Sequence, residues 1–482
     1  MKTRYVTFFV IAVMTLGLVF LLVSRERAPH DAPAEILDLT EAGTDAGDAG
    51  AFADAGIADA AVTVVEAAKP AERPIRIAAL GWELVAPGVG VAPSTSLTFE
   101  LAPETALDAV EARLARGGSD PQGADIAILP LPAFVFSYER LRALDPRVFL
   151  VLGFSHGREE VHAAAGALTK APPGADEVKL VAFGPGANPG SGSNESATVL
   201  GLFALDLLGV APTRLRIVAS DAADAKTALA SAIVKGSTDE RKLAFSTADA
   251  SHLVPIVAIA PSGVLAAHEA RLREWTKTWL EGAGKTRNDV PGIARRLAAK
   301  EMLPLAAGVG GAPEALVLVE RLGQIENTSL EDQARYFGPT APVTLAALAQ
   351  KTWQLERAAG LTANAAPEPL PIDARIVNAV APPAKPIATE DSDGGAYKAF
   401  PAGSVTLVTY RAVDGDADKV SSQVLFLSGV FDRATFRISA KGGAKAATAL
   451  ANAAHAKGVP ASRLSVVATE PGVFAAVDVL SQ

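Results

Sequence analysis

The stretch "VKLVAFGPGANPGSGSNESATVLGLFALDLLGV" (178–210) holds an apolar run of strand length, a bare loop of Gly, Pro, Ser and Asn, and an apolar helix ending at Gly209. A buried strand leading through a short loop into a helix is half of a βαβ unit. The loop has two readings. In one, Ser193 caps the helix and the glycines only turn the chain. In the other, a small ligand rests on backbone N–H groups at the positive end of the helix. Glu195, in the first helical turn, answers the same dipole and weighs against an anionic occupant.

The alternation extends outward on both sides. "IRIAAL" (75–80), "LTFELA" (97–102), "DIAILP" (125–130) and "VFLVLGFS" (148–155) read as strands. Helices are expected over 103–117 and near 132–143. Downstream, "LRIVAS" (215–220), a helix over 221–235 and "KLAFST" (242–247) continue the pattern. Apolar strands alternating with helices imply parallel sheets covered on both faces. After "VPIVAIAP" (254–261) the pattern turns helical, with Leu265, His268, Leu272, Trp275 and Trp279 on one core-facing stripe. Residues 362–400 loosen into "NAAPEPLP", "APPAKP" and "TEDSDGG" and read as a linker. The tail, 401–482, is a small α/β unit containing "SVTLVTYR", "VLFLSGVF", "TFRISAKG", a helix over 443–457 and "RLSVVATEPG".

A chain of 482 residues calls for more than one domain. Its net charge of −9 and lack of Lys/Arg clusters argue against nucleic acid. The absence of cysteine removes disulfides, thiolate nucleophiles and Cys-ligated metals. Tyr5–Val23 is uncharged and long enough to span a bilayer, and "SRER" follows where a cleavage site would be needed. Residues 1–27 therefore read as an uncleaved signal anchor in a bacterial inner membrane, with the body outside the cytoplasm. Residues 28–73 are an acidic Ala/Asp-rich tether; residues 31–66 carry nine acidic side chains and no Lys or Arg.

No motif supports catalysis. "GAGKT" (282–286) lacks the glycine a P-loop needs five residues upstream, where Trp279 stands, and reads as a helix C-cap. The six histidines form no H-x-x-x-H pair, and "GSGSNES" is no nucleophile elbow. We expect no enzyme, no catalytic residue, no metal and no cofactor.

"KLAFSTADASHLVPIVAIAPSGVLAAHEARLREWTKTWLEGAG" (242–284) resembles type 2 periplasmic substrate-binding proteins of ABC importers, the set that includes nitrate, sulfonate, taurine and thiamine-precursor binders. "ALGWELVAPGV" (79–89), "GADIAILPLPAF" (123–134) and "LVLGFSHGREEV" (150–161) are similar to that family's cleft segments. "SLEDQARYFGP" (329–339) and "PIDARIVNAV" (371–380) resemble a subgroup fused to an OmpA-like domain. The tail, notably "GVPASRLSVV" (458–467), resembles such a domain, yet the Thr-Asp and Arg that hold wall peptide are missing near "SAKGGA" and "AKAATAL", which makes peptidoglycan a doubtful partner.

The resemblance implies a two-lobed α/β periplasmic-binding-protein-like fold (type 2), with an N-terminal transmembrane helix and a small C-terminal α/β, degenerate OmpA-like domain. Lobe I would take about 74–153 and 250–361, lobe II about 154–249, with crossings near 153–157 and 247–252. A ligand between the lobes would meet Trp82, Leu129, Pro130, Leu131, Ser155, Ser191, Ser193, Asn194, Thr247 and Ala248. It implies a small polar ligand and an ABC permease as partners. The alternative is a structural or interaction protein of the cell envelope whose body has lost its ligand.

Overall fold

Each of the two larger sheets is assembled by the same rule. The computed structural model describes residues 73–482 except 92–96, 171, 173–175, 183–193, 236–238, 301–314, 340, 384–396, 398–402 and 482. The expected anchor and tether, Ser191 and Ser193 lie outside the described residues. In lobe I, β1 (Ile75–Leu80) pairs in parallel with β2 (Phe99–Glu104) and with β3 (Ile126–Pro130). β4 (Pro146–Ser155) lies one place further along, separated from β3 by a strand that arrives much later in the chain. In lobe II, β5 (Glu159–Ala163) is the strand that arrives from the other lobe. It runs antiparallel to β8 (Ala230–Val234) and β9 (Lys242–Ser246), while β6 (Val178–Ala182) pairs in parallel with β7 (Leu215–Val218) and β8. The returning strand, β10 (Pro255–Pro261), is antiparallel to both β3 and β4. The orders β2-β1-β3-β10-β4 and β7-β6-β8-β5-β9 are thus identical in plan, and β11 (Ile325–Asn327) extends the first beyond β4. The chain crosses from lobe I to lobe II at 156–158 and returns at 247–254.

Several expectations are corrected. The helix expected over 221–235 is absent: a single 3-10 turn, Ala225–Thr227, precedes β8. The alanines there favour a helix, but Ile233 and Val234 belong to a run inserted between β6 and β5, and sheet pairing overrides local propensity. "GAGKT" does not end a helix; it lies inside Glu269–Asn288. Gly282 is there because a Cβ would sit 2.1 Å from the Pro87 carbonyl oxygen, so the glycine lets helix Ala86–Gly90 lie against this one. The expected linker 362–400 is in part structural. The Val148 N–H donates to Pro371 O (2.8 Å) and the Asp373 N–H to Val148 O (2.8 Å), and Ile376 and Val377 are buried from helix Arg375–Val380. "VLFLSGVF" is the second half of helix Ala417–Val430, whose first turn is capped by the Asp416 carboxylate.

The C-terminal sheet runs β12 (Thr406–Ala412), β15 (Ala475–Leu480), β13 (Thr435–Ala440), β14 (Leu464–Val466), with β13 and β14 parallel and the other pairs antiparallel. It is no free tail. Phe431, fully buried, lies between Phe203 of helix Glu195–Leu207 (ring centroids 6.2 Å) and Phe245 of β9 (6.1 Å). The Thr409 N–H also donates to Leu168 O in lobe II (3.0 Å). One continuous apolar core joins Leu107 and Phe134 of lobe I, Leu180 and Phe203 of lobe II, and Phe431 and Phe436 of the C-terminal unit. A second core, around Phe149, Trp275 and Trp279, fills the other face of the lobe I sheet.

Candidate ligand site at the crossings

In open α/β sheets the carboxyl ends of the strands and the switch between them form the natural ligand crevice. Here that place is the pair of crossings, and the side chains gathered there are charged. β1 ends at Leu80, and Gly81 leads into the short turn Trp82–Val85. Gly81 has φ of 109°, and a Cβ on it would come 2.9 Å from the Glu83 carboxylate, so glycine is what lets that carboxylate fold back beneath the strand end. Glu83 is 2% exposed. Its Oε1 accepts from Arg158 Nη1 (2.7 Å), on the outgoing crossing, and from Arg321 Nη2 (2.9 Å), on helix Ala315–Gly323. The Arg321 guanidinium stands 5.3 Å from the Trp82 ring centroid, a cation–π contact. Glu83 Oε2 is buried with no hydrogen-bond partner among the described residues.

Directly behind, the buried Glu159 carboxylate accepts from the hydroxyls of Ser155 and Thr247 (3.1 Å for Thr247). Thr247 Oγ1 in turn accepts from the backbone N–H of Arg158 (3.2 Å). The two crossings are therefore laced together by the side chains of Ser155, Glu159 and Thr247. Near the surface, Lys235 at the end of β8 pairs with Glu320 (2.6 Å), and His156 faces Glu326 (3.6 Å).

Of the expected residues, Trp82, Ser155 and Thr247 meet in this cluster. Ala248 lies beside it, its Cβ 3.5 Å from where a Cβ of Gly157 would be. Leu129 and Leu131 are fully buried in the shared core, which leaves their backbone and the half-buried Pro130 at the end of β3. Asn194 is the N-cap residue of helix Glu195–Leu207, and its carbonyl accepts from the N–H and hydroxyl of Thr198 (both 2.8 Å). The neighbouring Glu195 acts electrostatically on Arg140, at the opposite end of helix Leu131–Leu141 from Leu131, and on Glu356.

Glu83, Arg158, Glu159 and Arg321 were not anticipated. The short strings "GWE" and "HGREE" hold three of them, but only folding brings Arg321 to Glu83, 238 positions apart in sequence.

No protein-family model and no curated protein matches the chain. Among solved structures, it is similar to the periplasmic aliphatic sulphonate binding protein SsuA of Escherichia coli (16% identity, covering 68% of this chain and 97% of that one, TM-score 0.38). It is also similar to the ligand-binding component of an ABC-type import system of Staphylococcus aureus (11%, 64% and 99%, TM-score 0.40). A third neighbour is a Candida albicans protein described as having the generic periplasmic binding protein fold (12%, 67% and 100%, TM-score 0.35). The likeness is one of fold.

Proposed function

We propose that this protein is a solute-binding protein, the non-catalytic binding component of an ABC importer, held at the inner membrane by residues 5–23, with a small polar ligand taken between its lobes. The observation that carries this reading is Glu83 Oε2. A buried carboxylate oxygen without a donor costs about 1–3 kcal/mol, and one held at the junction of two lobes by two arginines is set to receive an N–H or O–H from a ligand. Trp82 supplies a flat wall beside it. The C-terminal unit is proposed as a degenerate OmpA-like domain without peptidoglycan binding.

One observation favours the alternative of a ligand-less envelope interaction protein: the lobes and the C-terminal unit share a core, so lobe motion has packing to overcome. The readings separate in a thermal-shift screen of the full chain against anions, amino acids, sulfonates and pyrimidines. A true ligand at a hundredfold excess over its Kd stabilises by about 2.7 kcal/mol, and Glu83→Gln abolishes that shift. If no compound raises the melting temperature, the solute-binding reading is lost.

A further inference from the structure

A cavity lies where the return crossing meets the C-terminal unit. Its volume is 220 Å³, and His252, Arg335, Tyr336, Asp432 and Arg463 bring the polar chemistry to its wall. The crossing is bonded to the C-terminal unit here. The His252 N–H donates to Val430 O (3.1 Å), His252 Nδ1 lies 3.0 Å from Gly429 O, and the Ser251 hydroxyl donates to Asp432 Oδ1 (2.6 Å).

The charges around this cavity do not balance locally. Arg463 is largely buried and donates only to backbone carbonyls, those of Ser428 (2.9 Å), Ala434 (2.8 Å) and Phe431, while lying over the Phe436 ring (5.1 Å). Burial without a bonded carboxylate lowers its pKa to about 10, against a weaker opposing pull from Asp432. Arg335, exposed at the rim, makes no hydrogen bond or ion pair among the described residues, nor does the Tyr336 hydroxyl make a hydrogen bond. Asp432, the one carboxylate on the wall, already serves Ser251. The cavity thus offers guanidinium and hydroxyl donors in excess of acceptors. At about 30 Å³ per water it has room for roughly seven waters, the scale of a small polar molecule.

We propose that this cavity is a binding site for a small oxyanion, a carboxylate or inorganic phosphate, taken by Arg335, Arg463 and Tyr336. Planar guanidinium groups suit such oxygens. Because Arg463 belongs to the C-terminal unit and Tyr336 packs on Phe154 of β4, just before the outgoing crossing, and on His252 of the return crossing (5.0 and 6.2 Å between ring centroids), an occupant would strengthen the docking of that unit on the hinge. The proposal stands whether or not the inter-lobe cluster binds a solute.

Titration calorimetry of the full chain with sodium phosphate and with sodium acetate, at constant ionic strength, tests it. Saturable binding of either anion is expected, and which one binds names the source. Arg335→Ala weakens it about tenfold, the effect of one lost charge-assisted bond. Tyr336→Phe, which keeps the ring, weakens it several-fold with an unchanged circular dichroism spectrum. The proposal fails if neither anion binds saturably, or if binding is untouched by Arg335→Ala. It also fails if binding disappears in Arg158→Ala instead, which would assign the anion to the inter-lobe cluster.

Discussion

The two crossings do the same topological job with different chemistry. The outgoing one, 156–158, is three residues long, with backbone bonds to Gln324 and Lys235, and its side-chain contacts are charged: Arg158 on Glu83, with the flanking Glu159 on the hydroxyls of Ser155 and Thr247. The return one, 247–254, is held by packing and backbone bonds. Ala250, Leu253 and Val254 are buried in the shared core, and His252 and Ser251 are fixed to the C-terminal unit. Charge pairs are directional and open to competition by a ligand, whereas apolar burial is neither. The outgoing crossing is suited to respond, and the return crossing to hold.

The largest effect is expected on the holding side. Phe431→Ala removes the ring between Phe203 and Phe245 and should cost about 3–5 kcal/mol in urea unfolding, with earlier proteolytic release of the C-terminal unit. A loss under about 1 kcal/mol would show that the C-terminal unit rests on the hinge without bracing it.

A control away from both crossings comes next. Glu356, 1% exposed with neither carboxylate oxygen hydrogen-bonded among the described residues, has its pKa raised well above the ordinary range by burial and then by Glu195. The folded state therefore keeps a proton that the unfolded chain releases near pH 4.3. Stability should fall as pH rises from there toward the folded value. Glu356→Gln should remove this slope, matching the parent near pH 4 and exceeding it at pH 7 in urea titrations. Equal slopes for both proteins would refute the assignment.

On the responsive side, Arg158→Ala takes one of two cations from Glu83 and should cost about 1.5–3 kcal/mol, since Arg321 remains. Its partner measurement is the salt dependence of unfolding, which should be weaker in this variant than in Phe431→Ala. Were the order of the two losses reversed, the contrast between the crossings would be inverted. The smallest effect belongs to Lys235→Ala. The Lys235–Glu320 pair is about half exposed on both sides, so its loss should change stability by no more than about 1 kcal/mol, vanishing in 1 M NaCl.

The sequence by itself determined the alternation of apolar strands with helices and the covered sheets that follow, but not their direction: the sheets are mixed, because β5 and β10, the strands that cross between the lobes, run antiparallel to both of their neighbours. β1, β3 and β4 are apolar runs that any burial would stabilise, whereas the edge strand β2, with Glu100 and Glu104, is half-exposed. The sequence failed where local signals mislead: the alanine-rich 221–235 became β8, because pairing between β6 and β5 outweighs a helix preference of tenths of a kcal/mol per residue. Of the candidate site, Trp82, Ser155, Thr247 and Ala248 were legible from short strings near the crossings. Glu83, Arg158 and Arg321 were not, because a charged residue reads as solvated surface until a partner is brought to it. Only the tertiary structure decided that pairing, and the docking of the C-terminal unit onto the hinge. Ion pairs and ring contacts across more than two hundred positions leave no periodicity in the chain, and they form only after the apolar pattern has folded the sheets that carry them.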